Sequence, residues 1–195
     1  MSDPLQLRLS GAGGQGLITA GVILAEAALR DGKEVVQTQM YGPSARLGAS
    51  RSEVIISDHE IAYPEVTDLD LLLCMSQEAL EKYLPRARAE TRVLVDASTT
   101  DFDPSEYENP ERIRELPITE VAKELGNKVV ANVVALGVLN ATEQLVAPES
   151  LQAAVRRRVP ERFRALNEEA LDTGASLGRS PKPANQHSST FVDAE

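Results

Sequence analysis

The chain has 195 residues, 42% of them apolar but only 4% aromatic, with no Trp, and a formal net charge of −10. This length suits one α/β domain with an aliphatic core and leaves little room for a second. The acidic balance and the scarcity of rings argue against nucleic-acid binding, which draws on phosphate attraction and base stacking.

Leu5-Gln6-Leu7-Arg8-Leu9 alternates apolar and polar residues and predicts a β-strand. It leads into Gly11-Ala12-Gly13-Gly14-Gln15-Gly16, a G-x-G-x-x-G spacing, and then into Leu17 to Arg30, whose Ala, Leu and Ile content predicts a buried helix. In that context glycines permit a tight turn, and the helix N-terminus offers free N–H groups and a positive dipole end to an anion. The same glycines equally serve close strand–helix packing with no ligand.

Gly32 is expected to close the helix. Lys33 to Thr38 then predicts a second strand, so that residues 5–38 make a β-α-β unit. In a dinucleotide-binding unit an acid ends the second strand and holds a ribose hydroxyl. Here that place is Gln37-Thr38-Gln39, which argues against NAD. Met40 to Ser50 is a turn-rich loop. The strand after it, Arg51 to Ser57, follows so short a connection that it should pair antiparallel. Arg46 in the loop and Arg51 at the strand start are each suited to a phosphate or carboxylate, or to plain solvation.

Asp58-His59-Glu60 reads as a turn and Ile61 to Pro64 as a short extended piece. Asp70 to Met75 is a continuous apolar run, as in a strand covered on both faces. Ser76 is a candidate cap for a helix over Gln77–Tyr83. Within that apolar strand Cys74, the one cysteine of the chain, reads as a small core residue. Alone it makes no intramolecular disulfide and holds no cluster. With neither a signal-peptide pattern nor an apolar run of membrane length, the expected location is cytoplasmic, without a membrane partner.

Arg92 to Asp96 predicts another buried strand. Residues 97–117 are polar and proline-punctuated, with 101–104 a loop. Ile118 to Leu125 predicts a short helix, and Lys128-Val129-Val130-Ala131 a last strand. From Asn132 the pattern turns helical, with Val133, Leu136, Gly137 and Asn140 on one face. Pro148 and Pro160 each suit a first helical turn. Phe163, Leu166, Asn167, Ala170 and Leu171 form the apolar stripe of a last helix that Gly174 should end. The expected fold is therefore one Rossmann-like, three-layer α/β domain over 1–177, its sheet mostly parallel with helices on both faces, and a disordered tail over 178–195.

In such a sheet ligands bind beyond the C-terminal strand ends. The chain brings the glycine turn, the loop after the second strand, Ser76, Ala97-Ser98-Thr99 and Asn132 to that edge. These are hydrogen-bonding groups, and Asp96 is the one nearby acid. Asn132 and Asn167 are polar residues on or beside apolar faces and must find partners in the backbone or in a ligand. His59 and His187 fall in a turn and in the tail. No nucleophile–base pair, metal cage or paired carboxylate is evident, so the expected catalytic and metal sets are empty. The candidate binding residues are Gly11, Gly13, Gly14, Gln15, Gly16, Tyr41, Arg46, Ser76 and Asn132. This set points to a binding or assembly subunit. A free-standing nucleotide-binding Rossmann protein and a scaffold that binds nothing are the rival readings.

Three stretches, the glycine turn 11–16, Thr38 to Ser52 and Asn132-Val133-Val134-Ala135-Leu136-Gly137, resemble the gamma subunit of 2-oxoacid:ferredoxin oxidoreductases. Asn167, Ala170 and Gly174 extend the resemblance. It implies a thiamine-diphosphate enzyme that decarboxylates a 2-oxoacid, passes the acyl group to coenzyme A and reduces ferredoxin. Thiamine diphosphate, magnesium and the iron–sulfur clusters would sit on partner subunits: alpha, beta and a ferredoxin-like delta. The gamma domain would pack against them and help to accommodate coenzyme A at the interface, and the isolated chain would be inactive. Thr38 to Ser52 looks most like 2-oxoglutarate enzymes, with pyruvate, ketoisovalerate and indolepyruvate enzymes as alternatives. Arg46-Leu47-Gly48 departs from the Gly pair usual after that arginine, and Met40 and Ser44 are further departures. A Leu at 47 disfavours positive φ and so a loop of the usual shape.

Overall fold

The computed structural model describes residues 3–40, 49–107 and 109–181. Among these residues six strands form one sheet: β1 Leu5–Ala12, β2 Glu34–Met40, β3 Ala49–Ser57, β4 Leu71–Cys74, β5 Arg92–Asp96 and β6 Ile113–Leu116. Their order is β2-β3-β1-β4-β5-β6. β3 runs antiparallel to both β1 and β2, and the β1–β4, β4–β5 and β5–β6 pairs are parallel. The mostly parallel α/β sheet and the antiparallel third strand are as expected from the sequence. The β-α-β unit differs in one respect, because β3 is inserted between β1 and β2. This puts the end of β2 two strand spacings, roughly 10 Å, from β1. The absent ribose acid therefore weighs less than the topology: the end of β2 is too far away to serve a ligand seated on the glycine turn.

Among the described residues six α-helices accompany the sheet: α1 Leu17–Arg30, α2 Gln77–Tyr83, α3 Ile118–Glu124, α4 Ala131–Glu143, α5 Pro148–Arg158 and α6 Arg164–Arg179. Strand alternation divides the core in two. Leu7, Leu9, Leu71, Leu73, Leu94 and Leu116 point to the face covered by α1 and α3–α6. Leu72, Cys74, Val93, Val95 and Ile113 point to the other face, where α2 contributes Ala79, Leu80 and Tyr83. The second layer is thus much thinner. Over β1 and β3 that face is ionic: Arg8 and Glu53 are cross-strand partners, Arg8 Nε lies 2.8 Å from Glu53 Oε1, and the Arg8 guanidinium is 5.1 Å from the centre of the Tyr83 ring.

The expected strand at 128–131 is not one. Asn127 Oδ1 accepts the Val129 N–H at 3.0 Å and opens a 3-10 turn over Lys128–Val130 that runs straight into α4. The last strand is β6 instead, drawn from the polar 97–117 stretch. As an edge strand it tolerates Arg114 and Glu115 while burying only Ile113 and Leu116. Residues 61–64 form no strand. Pro148 does open α5, whereas Pro160 precedes a 3-10 turn, and Phe163 lies just outside α6. Gly174 does not end α6, which continues to Arg179. Its role is close approach: a Cβ there would lie 2.1 Å from the Val134 carbonyl oxygen on α4.

Candidate functional site

After β1 the chain crosses to one face of the sheet as α1, and after β4 to the other as α2. The β1–β4 boundary is therefore the switch point, where open α/β sheets bind ligands. Here the crevice is filled by the chain itself. Gln15 accepts the Ala12 N–H through Oε1 at 2.6 Å and donates from Nε2 to the Met75 carbonyl at 2.7 Å. The Thr99 hydroxyl donates to the same carbonyl at 3.0 Å. Gly11 makes room for this staple, since a Cβ there would stand 2.2 Å from Gln15 Oε1 and 3.0 Å from Met75 Cβ.

The outer part of the turn is open. Gly13 and Gly14 are exposed, with nothing within 4 Å of a built Cβ, and Gly14 has φ 90°. Gly16, at φ 75°, caps α1 without any side-chain bond, and no acid occupies the first turn. A Cβ on Gly16 would meet Asn132 Nδ2 at 2.6 Å. Asn132 instead donates that N–H to the Gly16 carbonyl at 3.1 Å, tying the start of α4 to the start of α1.

Beside this junction lies a cleft of about 270 Å³. Gly14, Gly16 and Thr19 form one wall, and Val129, Val159 and Phe163 supply apolar surface. Asn132 and Asn167, each 8% exposed, also line it. The Asn167 amide donates to the Phe163 carbonyl at 2.9 Å. Carbonyl acceptors on both Nδ2 groups fix which way the carboxamides face, and neither Oδ1 accepts a bond among the described residues. Val129 and Phe163 are 69% and 40% exposed. Next to them Lys128 and Arg162 form no ion pair among the described residues, and the Arg162 guanidinium lies 4.7 Å from the Phe163 ring centre.

The sequence candidates therefore separate. Gly14, Gln15, Gly16 and Asn132 line the cleft, with Gly13 next to them in the turn, whereas Gly11 belongs to the closed switch point that Gln15 also builds. Ser76 Oγ accepts the Ala79 N–H at 3.3 Å as the cap of α2. Tyr41 and Arg46 lie outside the described residues, as does His187. Arg51 sits across the sheet with its Nε 3.6 Å from Glu53. Asp96 is fully buried and holds the start of α3 by accepting from the Thr119 backbone and hydroxyl. Burial pushes the Cys74 thiol up to about 12. Thr19, Val129 and Phe163 also line the cleft and are not among the sequence candidates. Val129 was assigned to a strand and Phe163 to a core stripe, and both are apolar side chains without local polar signature.

The sequence pattern of the family described as "Pyruvate ferredoxin/flavodoxin oxidoreductase" matches residues 6–177. The 2-oxoglutarate synthase subunit KorC of Methanocaldococcus jannaschii is 43% identical over 179 residues, covering 89% of this chain and 94% of that one. The keto/oxoacid ferredoxin oxidoreductase gamma subunit of Geobacter sulfurreducens superposes with a TM-score of 0.79 at 43% identity, over 91% of this chain and 97% of that one. The 2-oxoglutarate:ferredoxin oxidoreductase of Magnetococcus marinus, solved with 2-oxoglutarate, coenzyme A and succinyl-CoA bound, aligns with a TM-score of 0.83 at 26% identity. That alignment covers 95% of this chain and 33% of the other.

Proposed function

The chain belongs to the pyruvate ferredoxin/flavodoxin oxidoreductase family, and on that footing we propose that it is the gamma subunit of a thiamine-diphosphate-dependent 2-oxoglutarate:ferredoxin oxidoreductase. In this reading residues 1–177 are the gamma domain. It packs against alpha and beta subunits and a ferredoxin-like delta subunit in a cytoplasmic complex that passes electrons to ferredoxin. Its own contribution is one wall of the coenzyme A site. The observation that carries the reading is 43% identity to a 2-oxoglutarate synthase subunit along almost the full length of both chains. Among the described residues no helix is long and apolar enough to cross a membrane.

The reading places thiamine diphosphate, magnesium and iron–sulfur clusters on other subunits. No three His, Cys, Asp or Glu side chains among the described residues are placed to hold a metal ion, and Cys74 is the sole, buried thiol. The proposal assigns those groups to the partner subunits. Gly13, Gly14, Gly16 and Asn132 form the ligand-facing surface, and Gly11, Gln15 and Ser76 hold it in shape. Tyr41 and Arg46 remain in the proposal through the family resemblance. The test is ferredoxin reduction by the purified complex with a panel of 2-oxoacids. Reduction with 2-oxoglutarate at least tenfold faster than with pyruvate or branched-chain and indole oxoacids is expected. Preference for one of the others moves the chain to that branch of the family.

A further inference from the structure

The edge of the sheet at β2 and the flank of α1 above it form one continuous surface. Among the described residues no strand pairs with the outer side of β2. Its seven residues pair with β3 without a bulge, from Glu34 opposite Ser57 to Met40 opposite Arg51. They include no Pro, and Glu34 is the one charge among them. Bulges, prolines and charges are the means by which an edge is blunted against pairing with another chain, and here there is only a charge at the very start. On α1, Thr19 lines the cleft with Val159, and Glu26 pairs with Arg157 and Arg158. A residue one position earlier is turned about 100° round the helix. Ile18 and Ala25 are therefore turned away from that side, with Leu29 in line at i, i+7 and i+11 and Val22 beside them. Because α1 lies over β3, where a Cβ on Gly21 would collide with Ser52, this apolar stripe looks out over β2. Leu29 is 59% exposed, and Ile18, Val22 and Val35 are half-buried.

A partner that fits has an extended strand with an apolar helix flank beside it, and this surface has that form itself. We propose that a second copy of the chain docks here, its β2 antiparallel to the first about a two-fold axis normal to the sheet. The two strands join their free N–H and C=O groups into one continuous sheet, with both α1 helices on the same face. The symmetry brings each Leu29 towards Ile18 of the other copy, so the stripes close over the seam. Charge permits this even in a chain of net charge −10. The two Glu34 side chains sit at opposite ends of the seam, each facing the uncharged stretch 38–40 of the other copy, and no like charges meet. Seven residues make a seam about 24 Å long, and the sheet edge with its helix layer is roughly 20 Å deep. The footprint is on the order of 500 Å² a side, or about 1,000 Å² in total, the size at which a specific interface begins. A dimer that forms in the micromolar range follows. The proposal does not rest on the gamma-subunit reading.

Sedimentation velocity of the full chain over a concentration series tests it, with the exposed-residue variants Leu29→Glu, Gln39→Glu and Gln39→Lys. The wild type is expected to pass from monomer to dimer as concentration rises. Leu29→Glu puts a charge into the apolar stripe, and Gln39→Glu puts one opposite Glu34 of the second copy. Each is expected to weaken the dimer about tenfold, whereas Gln39→Lys, which gives that Glu34 a partner, dimerises at least as tightly as the wild type. A chain that stays monomeric throughout, or a dimer that Leu29→Glu and Gln39→Glu leave unchanged, overturns the proposal. Hydrogen exchange that finds the β2 amides protected only in a complex with other subunits also overturns it, and gives the edge to a strand from one of them.

Discussion

Gln15 and Met75 join the two halves of the sheet: the Gln15 carboxamide donates to the Met75 carbonyl at 2.7 Å across the β1–β4 switch point. The residue that sequence motifs place inside a phosphate-binding turn is thus spent on holding the turn against the end of β4. The outer glycines Gly13 and Gly14 are left exposed.

Substituting Gly11→Ala should therefore destabilise the fold, because the new methyl meets Gln15 Oε1 at 2.2 Å, Leu17 Cδ1 at 2.7 Å and Met75 Cβ at 3.0 Å. Overpacking of this kind costs about 1–3 kcal/mol. Gln15→Ala removes both bonds of the staple and should cost about 1–2 kcal/mol. Urea unfolding of each variant measures the loss.

The glycines of the turn should not behave alike. Gly13→Ala meets nothing within 4 Å and should leave stability unchanged or raise it by about 0.5 kcal/mol. At Gly174 the methyl would strike α4 backbone, 2.1 Å from the Val134 carbonyl oxygen, and no side chain is available to yield. Gly174→Ala should cost about 3 kcal/mol or more. Thermal melts of the two variants side by side read the difference.

Arg8 and Glu53 are nearly buried, with side chains 14% and 10% exposed. Removing one partner of such a pair typically costs about 3–5 kcal/mol, while replacing both by apolar groups is often close to neutral. Arg8→Met should be strongly destabilising, at the lower end of that range because Arg51 remains 3.6 Å from Glu53. The double variant Arg8→Met/Glu53→Leu should recover most of the loss. A double-mutant cycle on unfolding free energies decides this.

Burial raises the Cys74 thiol from its ordinary value near 9 to about 12, so the native thiol stays protonated at neutral and mildly alkaline pH. Iodoacetamide at pH 8 should leave folded protein unlabelled and modify it promptly once guanidinium has unfolded it. Mass spectrometry follows the adduct, and rapid labelling of native protein would show that Cys74 is not in the core.

The strands and helices with strong periodicity were legible in the sequence: β1 from its alternation, β4 from its unbroken apolar run, α1 from its Ala-rich length. The antiparallel β3 followed from the shortness of its connection. Its position between β1 and β2 did not, because strand order depends on contacts far apart in sequence. Lys128–Ala131 misled because a valine pair has β character in isolation, whereas the Asn127 side chain and the following helix decide its conformation. Gly174 was read as a stop because helix ends and helix crossings both favour glycine, and only the neighbouring helix distinguishes them. At the cleft, Gly14, Gln15, Gly16 and Asn132 carry a local signal in the sequence, and the fold brings them together. Val129 and Phe163 carry none, since nothing local in an apolar residue tells whether the fold will bury it or leave it exposed beside a cleft.

The most direct test of the central claim is purification of the tagged protein from its native cell, with the copurifying chains identified and their ferredoxin-reducing activity assayed. The account predicts a stable complex with thiamine-binding and ferredoxin-like subunits that reduces ferredoxin only when 2-oxoglutarate and coenzyme A are both supplied. A chain that purifies alone, or thiamine-binding subunits that are fully active without it, would contradict the account.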